Sequence, residues 1–219
     1  MGAGGLRTVS MAVSRVAVER FLARLLQGGL VAILAVGVLL GSVSVVVNAV
    51  LALLVTFLPA VLRRDAGIHL DPGLALFLTG AVFLHAVGMV GVYDRVWWWD
   101  HLTHTLSAMI VAGVAYTVVR AVDEHTDRFH VPQSRLPVYL LVFTLAMGVL
   151  WEGLELGARY LTDWLGVGVI WVHYGPYDTE LDLLFNALGA LVVALFGTER
   201  LQSTVESVRG WLDRRVALE

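Results

Sequence analysis

Residues 28–62 read GGLVAILAVGVLLGSVSVVVNAVLALLVTFLPAVL and contain no charged side chain. As one helix they would be about 52 Å long at about 1.5 Å per residue, whereas the hydrocarbon core of a bilayer is about 30 Å thick. Two transmembrane helices joined by a tight turn therefore fit better. Gly41, Ser42 and Ser44 form the predicted turn. Asn48 lies just inside the second of these helices.

The composition of the whole chain also points to a membrane. Hydrophobic residues make up 58% of the 219 residues, charged residues make up 15%, and the mean hydropathy is +0.78. Soluble domains are about 45–50% apolar and about 25% charged, so lipid must solvate much of this surface. The net charge of −3 gives no argument for a nucleic-acid partner. The absence of cysteine excludes disulfides, thiolate metal ligands and a cysteine nucleophile.

Four further apolar segments complete a predicted all-α bundle of six transmembrane helices. Asp71 and Pro72 are the predicted cap and first-turn residue of the third span. The linkers are short and polar, and nothing in the sequence indicates a separate soluble domain. The four segments are 73–92, about 100–119, about 136–160 and about 179–198.

Arginine placement predicts the orientation of these spans. All 15 basic residues are arginine, and with six spans only Arg95 and Arg159 fall on the side opposite the N-terminus. Because basic residues accumulate on the cytoplasmic side, we expect a multi-pass plasma-membrane protein with both termini in the cytoplasm. The predicted organisation is an amphipathic N-terminal helix on the inner surface (1–26), the transmembrane domain (27–198) and a cytoplasmic tail (199–219).

Aromatic residues mark the predicted outer interface. Tryptophan and tyrosine favour the head-group region, where their amphipathic rings are partly solvated. The predicted aromatic belt consists of Trp97, Trp98, Trp99, Trp164, Trp171, Tyr174 and Tyr177, and His173 in the same outer loop is a candidate cap over the site.

Most polar and ionisable residues within the spans fall near the predicted outer ends of the last three helices. Within each helix they recur at i,i+3 and i,i+4, so they share one face. Charged groups are costly in hydrocarbon and normally face a bundle interior or a wet cavity, so these faces predict one shared outward-opening site. The residues are Asp100, His101 and His104 in the fourth span, Glu152, Glu155 and Arg159 in the fifth, Asp178, Asp182 and Asn186 in the sixth, and His85 in the third.

The chemistry of this set matches a divalent metal. Imidazoles and carboxylates together are ligands of zinc, manganese and non-haem iron. A structural network is the alternative, in which imidazoles bond to carboxylates and Glu155 pairs with Arg159 without any metal. The predicted ligands are His101, His104, Glu152 and Asp182, of which His104, Glu152 and Asp182 are also the catalytic candidates, and the residues expected to orient them are Asp100, Glu155, Asp178, Asn186 and His85.

Three motifs carry a family resemblance. They read Trp99-Asp-His-Leu-Thr-His-Thr-Leu-Ser, Trp151-Glu-Gly-Leu-Glu155 and Tyr177-Asp-Thr-Glu-Leu-Asp-Leu-Leu-Phe-Asn-Ala-Leu-Gly-Ala. Over about residues 70–197 the chain resembles the YjdF-type membrane proteins and, more distantly, the VanZ-like superfamily. The resemblance implies a multi-spanning bundle. It implies family positions at Asp100, His101, His104, Glu152, Glu155, Asp178, Asp182, Asn186 and Gly189.

The leading hypothesis for function is a membrane enzyme or binding protein that acts on a lipid or lipid-linked head group at the outer leaflet. A structural or interaction protein, whose polar cluster only locks the bundle, is a second hypothesis. A small-solute transporter is a third, although the inner halves of the spans offer no polar pathway. The sequence leaves open whether the protein is an enzyme. Gly and Ala in the last two spans permit packing within one chain or in a homo-oligomer.

Overall fold

The computed structural model describes residues 3–167 and 177–216, with side chains from Arg15 onward. Every regular element in these ranges is a helix, and six helices are long and apolar enough to cross a membrane, which confirms the predicted fold class and span count. Trp171, His173 and Tyr174 lie outside the described residues. The helices are α1 (Ala3–Leu40), α2 (Val43–Val61), α3 (Pro72–Val87), α4 (Trp99–His125), α5 (Leu136–Leu165), α6 (Asp178–Val192) and α7 (Thr198–Val216), with π-helical turns at Leu62–Ala66, Gly88–Val92 and Val193–Gly197.

The turn between the first two spans lies at Gly41 and Ser42, as predicted, whereas Ser44, also a predicted turn residue, lies in the first turn of α2. Gly41 has a φ of +64°, a left-handed conformation that glycine adopts without steric cost. Ser42 caps α2, because its hydroxyl accepts a hydrogen bond from the Val45 amide. The predicted start of α3 is also confirmed, since Asp71 accepts from the Gly73 amide at 2.8 Å and Pro72 begins the helix.

Both ends of the described chain are helical. Helix α1 is unbroken from Ala3 to Leu40, so the amphipathic helix predicted at 1–26 is the N-terminal part of a longer helix. Gly29 does not interrupt it. A Cβ there would lie 2.7 Å from the Phe83 ring, so the glycine lets α3 pack closely. The predicted tail at 199–219 is helical to Val216 as α7, because apolar residues of α7 pack against α4 and α5.

Two glycines of the last two spans lie in close contact with other helices of the same chain. A Cβ at Gly189 of α6 would lie 2.5 Å from the Thr105 carbonyl oxygen of α4. A Cβ at Gly148 of α5 would lie 2.7 Å from the side-chain nitrogen Nδ2 of Asn186. These contacts bring α4, α5 and α6 together at short distance. Gly153 and Gly157 have no atom of the described chain within 4 Å of their Cβ positions.

The bundle has two chemically different ends. We call the end at which α3 finishes and α4 and α6 begin the tryptophan end, after Trp97–Trp99. We call the opposite end, where α4 and α7 finish, the arginine end. There the largely buried Asp123 pairs with Arg120 and accepts from the His130 ring and the Val131 amide, both at 3.1 Å. This network ties the end of α4 to the segment that leads into α5.

Candidate functional site

Asp182 is the centre of a polar cluster at the tryptophan end. It lies in the second turn of α6, is only 1% exposed, and faces α4. Its Oδ1 lies 3.9 Å from Nδ1 of His101, and its Oδ2 lies 3.6 Å from Nε2 of His104. The same His104 nitrogen lies 3.7 Å from Oδ1 of Asp100, one helical turn earlier. The i,i+3 and i,i+4 spacing of α4 therefore directs three side chains towards one carboxylate.

Helix α5 adds Glu152 to this cluster. Two sets of three residues each bring one donor atom per residue to within 4.8 Å of one another. The first set is His104, Glu152 and Asp182, and the second is Asp100, His101 and Asp182. All four predicted metal ligands are therefore in the cluster. Within the described residues these four and Asp100 form two groups of three that share Asp182, instead of one sphere of four.

Three buried polar atoms of the cluster have no hydrogen-bond partner in the described part of the chain. They are Nδ1 of His101, Oε1 of Glu152 and Oδ1 of Asp182. Buried polar groups are normally satisfied, and an unsatisfied one costs about 1–3 kcal/mol. Three such atoms in one cluster therefore need partners that the described side chains do not supply, such as water or a bound ion.

The imidazoles and carboxylates of the cluster lie close together without direct hydrogen bonds between them. The imidazole–carboxylate separations of 3.6 to 3.9 Å are longer than hydrogen bonds, which are about 2.7–3.2 Å. They are close to the separation of about 3.4 Å between neighbouring ligands of a tetrahedral zinc ion with bonds of about 2.0–2.1 Å.

Neighbouring side chains hold the cluster in position. The Thr179 hydroxyl donates to Oε2 of Glu152 at 2.8 Å. The Phe185 ring stacks in parallel on the His101 ring, with centroids 4.6 Å apart. Sequence reasoning missed both residues. Thr179 and Phe185 lie three residues before and after Asp182, so their place on the same face of α6 was the available signal.

His85 belongs to a separate hydrogen-bonded chain beside the cluster. Its Nε2 lies 3.1 Å from Oδ1 of Asn48, and its Nδ1 lies 2.8 Å from the Tyr93 hydroxyl, which is 3.0 Å from the Thr103 hydroxyl. These contacts fit a neutral imidazole that donates from Nε2 to Asn48 and accepts from Tyr93. The chain thus joins α2, α3 and α4, and Gly88 leaves room for the Tyr93 ring.

A cavity of about 460 Å³ opens beside the cluster, between α2, α3, α4 and α5. Its polar wall includes Glu155. Among the described residues no ion pair joins Glu155 to Arg159, so the predicted pair does not form there. The other predicted supporting residues of α6, Asp178 and Asn186, are both buried. The cavity walls include Asp100, His104, Glu155, His85 and Asn186 on the polar side, and Leu51, Val55, Val111 and Met147 on the apolar side.

The fold and the cluster together define a polytopic α-helical membrane protein with a buried histidine–carboxylate cluster at one end of the bundle. Residues 21–203 match the model of the family described as "Predicted membrane protein (DUF2238)". This match spans most of the chain and every residue of the cluster, so the protein belongs to that family. Comparisons with curated proteins and with solved structures gave no match.

Proposed function

We propose that this plasma-membrane protein binds divalent metal in the histidine–carboxylate cluster and uses it to act on a lipid or lipid-linked head group at the outer leaflet. The observation that carries the proposal is the convergence of three unpartnered buried atoms, on His101, Glu152 and Asp182, into one cluster. The family match supports the YjdF-type part of the resemblance. The VanZ-like relation stays a prediction.

The donor set fits zinc, manganese or iron. His101, His104, Glu152 and Asp182 would be the ligands, and Asp100 and the Thr179 hydroxyl would orient them, as hydrogen-bonded neighbours do in known metal sites. A bound cation would also offset the repulsion between the carboxylates. When bound, such an ion polarises substrate oxygens and makes a bound water more acidic. His104, Glu152 and Asp182 are the candidates for moving the proton.

The position of the cluster supports a substrate at the membrane interface. Asp100 and Asp182 lie in the first two turns of α4 and α6, within about 8 Å of the helix starts at about 1.5 Å per residue. The arginines concentrate towards the opposite end of the predicted spans, which supports an outward-facing tryptophan end and cytoplasmic termini.

The cavity supports a substrate with an apolar chain. Its volume of about 460 Å³ falls within the range of about 300–1,000 Å³ typical of ligand pockets. Asp100, His104 and Glu155 offer contacts for a polar head group, and the apolar walls on α2 and α5 offer contacts for the attached chain.

Elemental analysis of the purified full chain tests the metal. We expect bound zinc, manganese or iron in the wild-type protein and a lower content of that metal in His104→Ala and Glu152→Gln. Glu180→Gln is the matched control, since Glu180 is exposed on α6. A wild-type protein that binds no metal and is equally stable without it would refute the metal. If His104→Ala lowers only the thermal stability, the cluster is structural.

Lipid that co-purifies with the protein tests the second part of the proposal. Val55→Trp places a large ring in the cavity, whereas the adjacent Leu54 is 63% exposed and Leu54→Trp places the same ring outside. Mass spectrometry should find a defined lipid in the wild type and in Leu54→Trp, and less of it in Val55→Trp. The metal content of all three should be equal. Equal lipid in all three proteins would contradict a lipid-binding cavity.

A further inference from the structure

The two carboxylate oxygens of Asp182 face different imidazoles. Oδ1 is directed at His101 and Oδ2 at His104, at 3.9 and 3.6 Å. The side chain is almost completely buried, and Oδ1 has no hydrogen-bond partner. A carboxylate that offers one oxygen to each of two separate imidazoles has the geometry of a bridging ligand.

The other donors divide around Asp182 in the same way. Asp100 and His101 complete one group, while His104 and Glu152 complete the other. Nε2 of His104 also lies 3.7 Å from Oδ1 of Asp100, so the two groups are adjacent. Each group contains one of the other unpartnered atoms, Nδ1 of His101 in the first and Oε1 of Glu152 in the second. Among the described residues no metal-competent group contains both histidines. One ion therefore leaves one group incomplete, whereas two ions satisfy both.

Resting on the proposed function, we infer that the cluster is a two-metal centre in which Asp182 bridges the ions. The first ion would be held by Asp100, His101 and Oδ1 of Asp182, and the second by His104, Glu152 and Oδ2 of Asp182. In this centre Asp100 is a ligand instead of an orienting residue. Two-metal sites in proteins hold their ions about 3.5–4 Å apart, a separation that one carboxylate can span.

The open coordination positions of such a centre define the class of ligand it takes. The two divalent ions face the ligating carboxylates Asp100, Glu152 and Asp182, and the carboxylates of Asp178 and Glu155 lie nearby. Three protein donors per ion leave open positions on zinc, manganese or iron. An anionic oxygen group, such as the phosphate of a lipid head group or free inorganic phosphate, fits these positions. The two ions would then provide the positive charge that an arginine or lysine cluster provides in other phosphate sites.

The stoichiometry of Mn²⁺ tests the centre. The purified full chain is loaded with Mn²⁺, its manganese content is measured, and its electron paramagnetic resonance spectrum is recorded. We expect two ions per chain and the spectrum of an exchange-coupled pair. His101→Gln and Glu152→Gln each remove a ligand from one ion only, so each should retain one uncoupled ion. Glu180→Gln should behave as wild type. Circular dichroism and size-exclusion chromatography establish that each variant is folded.

The outcomes separate this inference from the proposed function. One ion in the wild type, lost in both variants, overturns the two-metal centre and leaves the proposed metal site standing. Two ions without exchange coupling overturn the bridging role of Asp182. If the protein binds no ion, both proposals are overturned. With the pair present, inorganic phosphate should alter the spectrum if free phosphate is a ligand, and vesicles containing an anionic phospholipid should alter it if the head group is. If neither phosphate nor the vesicles alter the spectrum, the proposed ligand class is overturned.

Discussion

Gly189→Ala tests whether the close contact between α4 and α6 holds the cluster together. The added Cβ would lie 2.5 Å from the Thr105 carbonyl oxygen and 2.8 Å from the Ala108 Cβ. Carbon–oxygen contacts in proteins are usually about 3.3 Å or longer, so the shortfall is about 0.8 Å. Because the nearest atom belongs to the backbone, no side-chain rotation relieves the clash, and the two helices must move apart.

The expected loss of stability follows from two opposing effects. Overpacking of a well-packed contact costs about 1–3 kcal/mol, while the better helix propensity of alanine offsets up to about 1 kcal/mol. The net loss is about 1–2 kcal/mol, or about 2–8 °C in melting temperature for a chain of this size. Separation of the helices also moves His101 and His104 away from Asp182, so metal affinity should fall by about 10-fold or more.

Gly153→Ala is the matched control for this experiment. It makes the same substitution in a transmembrane helix, but its Cβ meets no atom within 4 Å. Thermal unfolding of both variants is followed by tryptophan fluorescence in one detergent, and metal content is measured on the same samples. If Gly189→Ala melts at the same temperature as Gly153→Ala and retains as much metal, the close packing of α4 and α6 is refuted.

Three further predictions test other parts of the bundle. Tyr93→Phe removes the hydroxyl that joins α3 to α4, and should destabilise the fold by about 1–2 kcal/mol in thermal unfolding, whereas Tyr160→Phe, at a side chain that is 71% exposed, should not. Asp123→Asn weakens the buried ion-pair network at the arginine end and should lower the free energy of unfolding by about 2 kcal/mol. Asp127→Asn, at an exposed position, should have no measurable effect. Equal melting temperatures of the two variants would contradict the stabilising role of Asp123. The chain has no cysteine, so Asp94→Cys and Asp127→Cys each introduce a single exposed thiol. A membrane-impermeant thiol reagent should label the first in intact cells and the second only after lysis, and the reverse pattern would overturn the proposed orientation.

The number of spans and most of their boundaries could be predicted from the sequence, because they depend on local properties. Apolar segments long enough to cross the hydrocarbon core are visible without any tertiary information. Gly41 and the cap at Asp71 act within a few residues, and both predictions are confirmed. Helical continuity at the two ends was harder to predict. The polar α7 is held as a helix against the bundle by Leu201 and Val205, which are buried among residues distant in sequence.

Membership of the cluster was also predictable in part. The high cost of charge in hydrocarbon restricts where such residues occur, and helical periodicity places them on common faces. Helical spacing also places Thr179 and Phe185 on the Asp182 face, but no cost of burying charge singles them out. Thr179, Phe185 and Tyr93 are common residue types in membrane helices, and their roles appear only in the contacts of the folded chain.

The division of the donors into two groups around Asp182 depends on tertiary structure alone. Sequence spacing places His101 and His104 on one face of α4, which predicts a single shared site. The rotation and separation of α4 and α6 determine which imidazole meets which carboxylate oxygen, and Gly189 sets that separation through backbone contact. Helical periodicity specifies a face to within a wide arc, whereas metal coordination depends on distances of a few tenths of an ångström. Only the packed helices determine distances of that size.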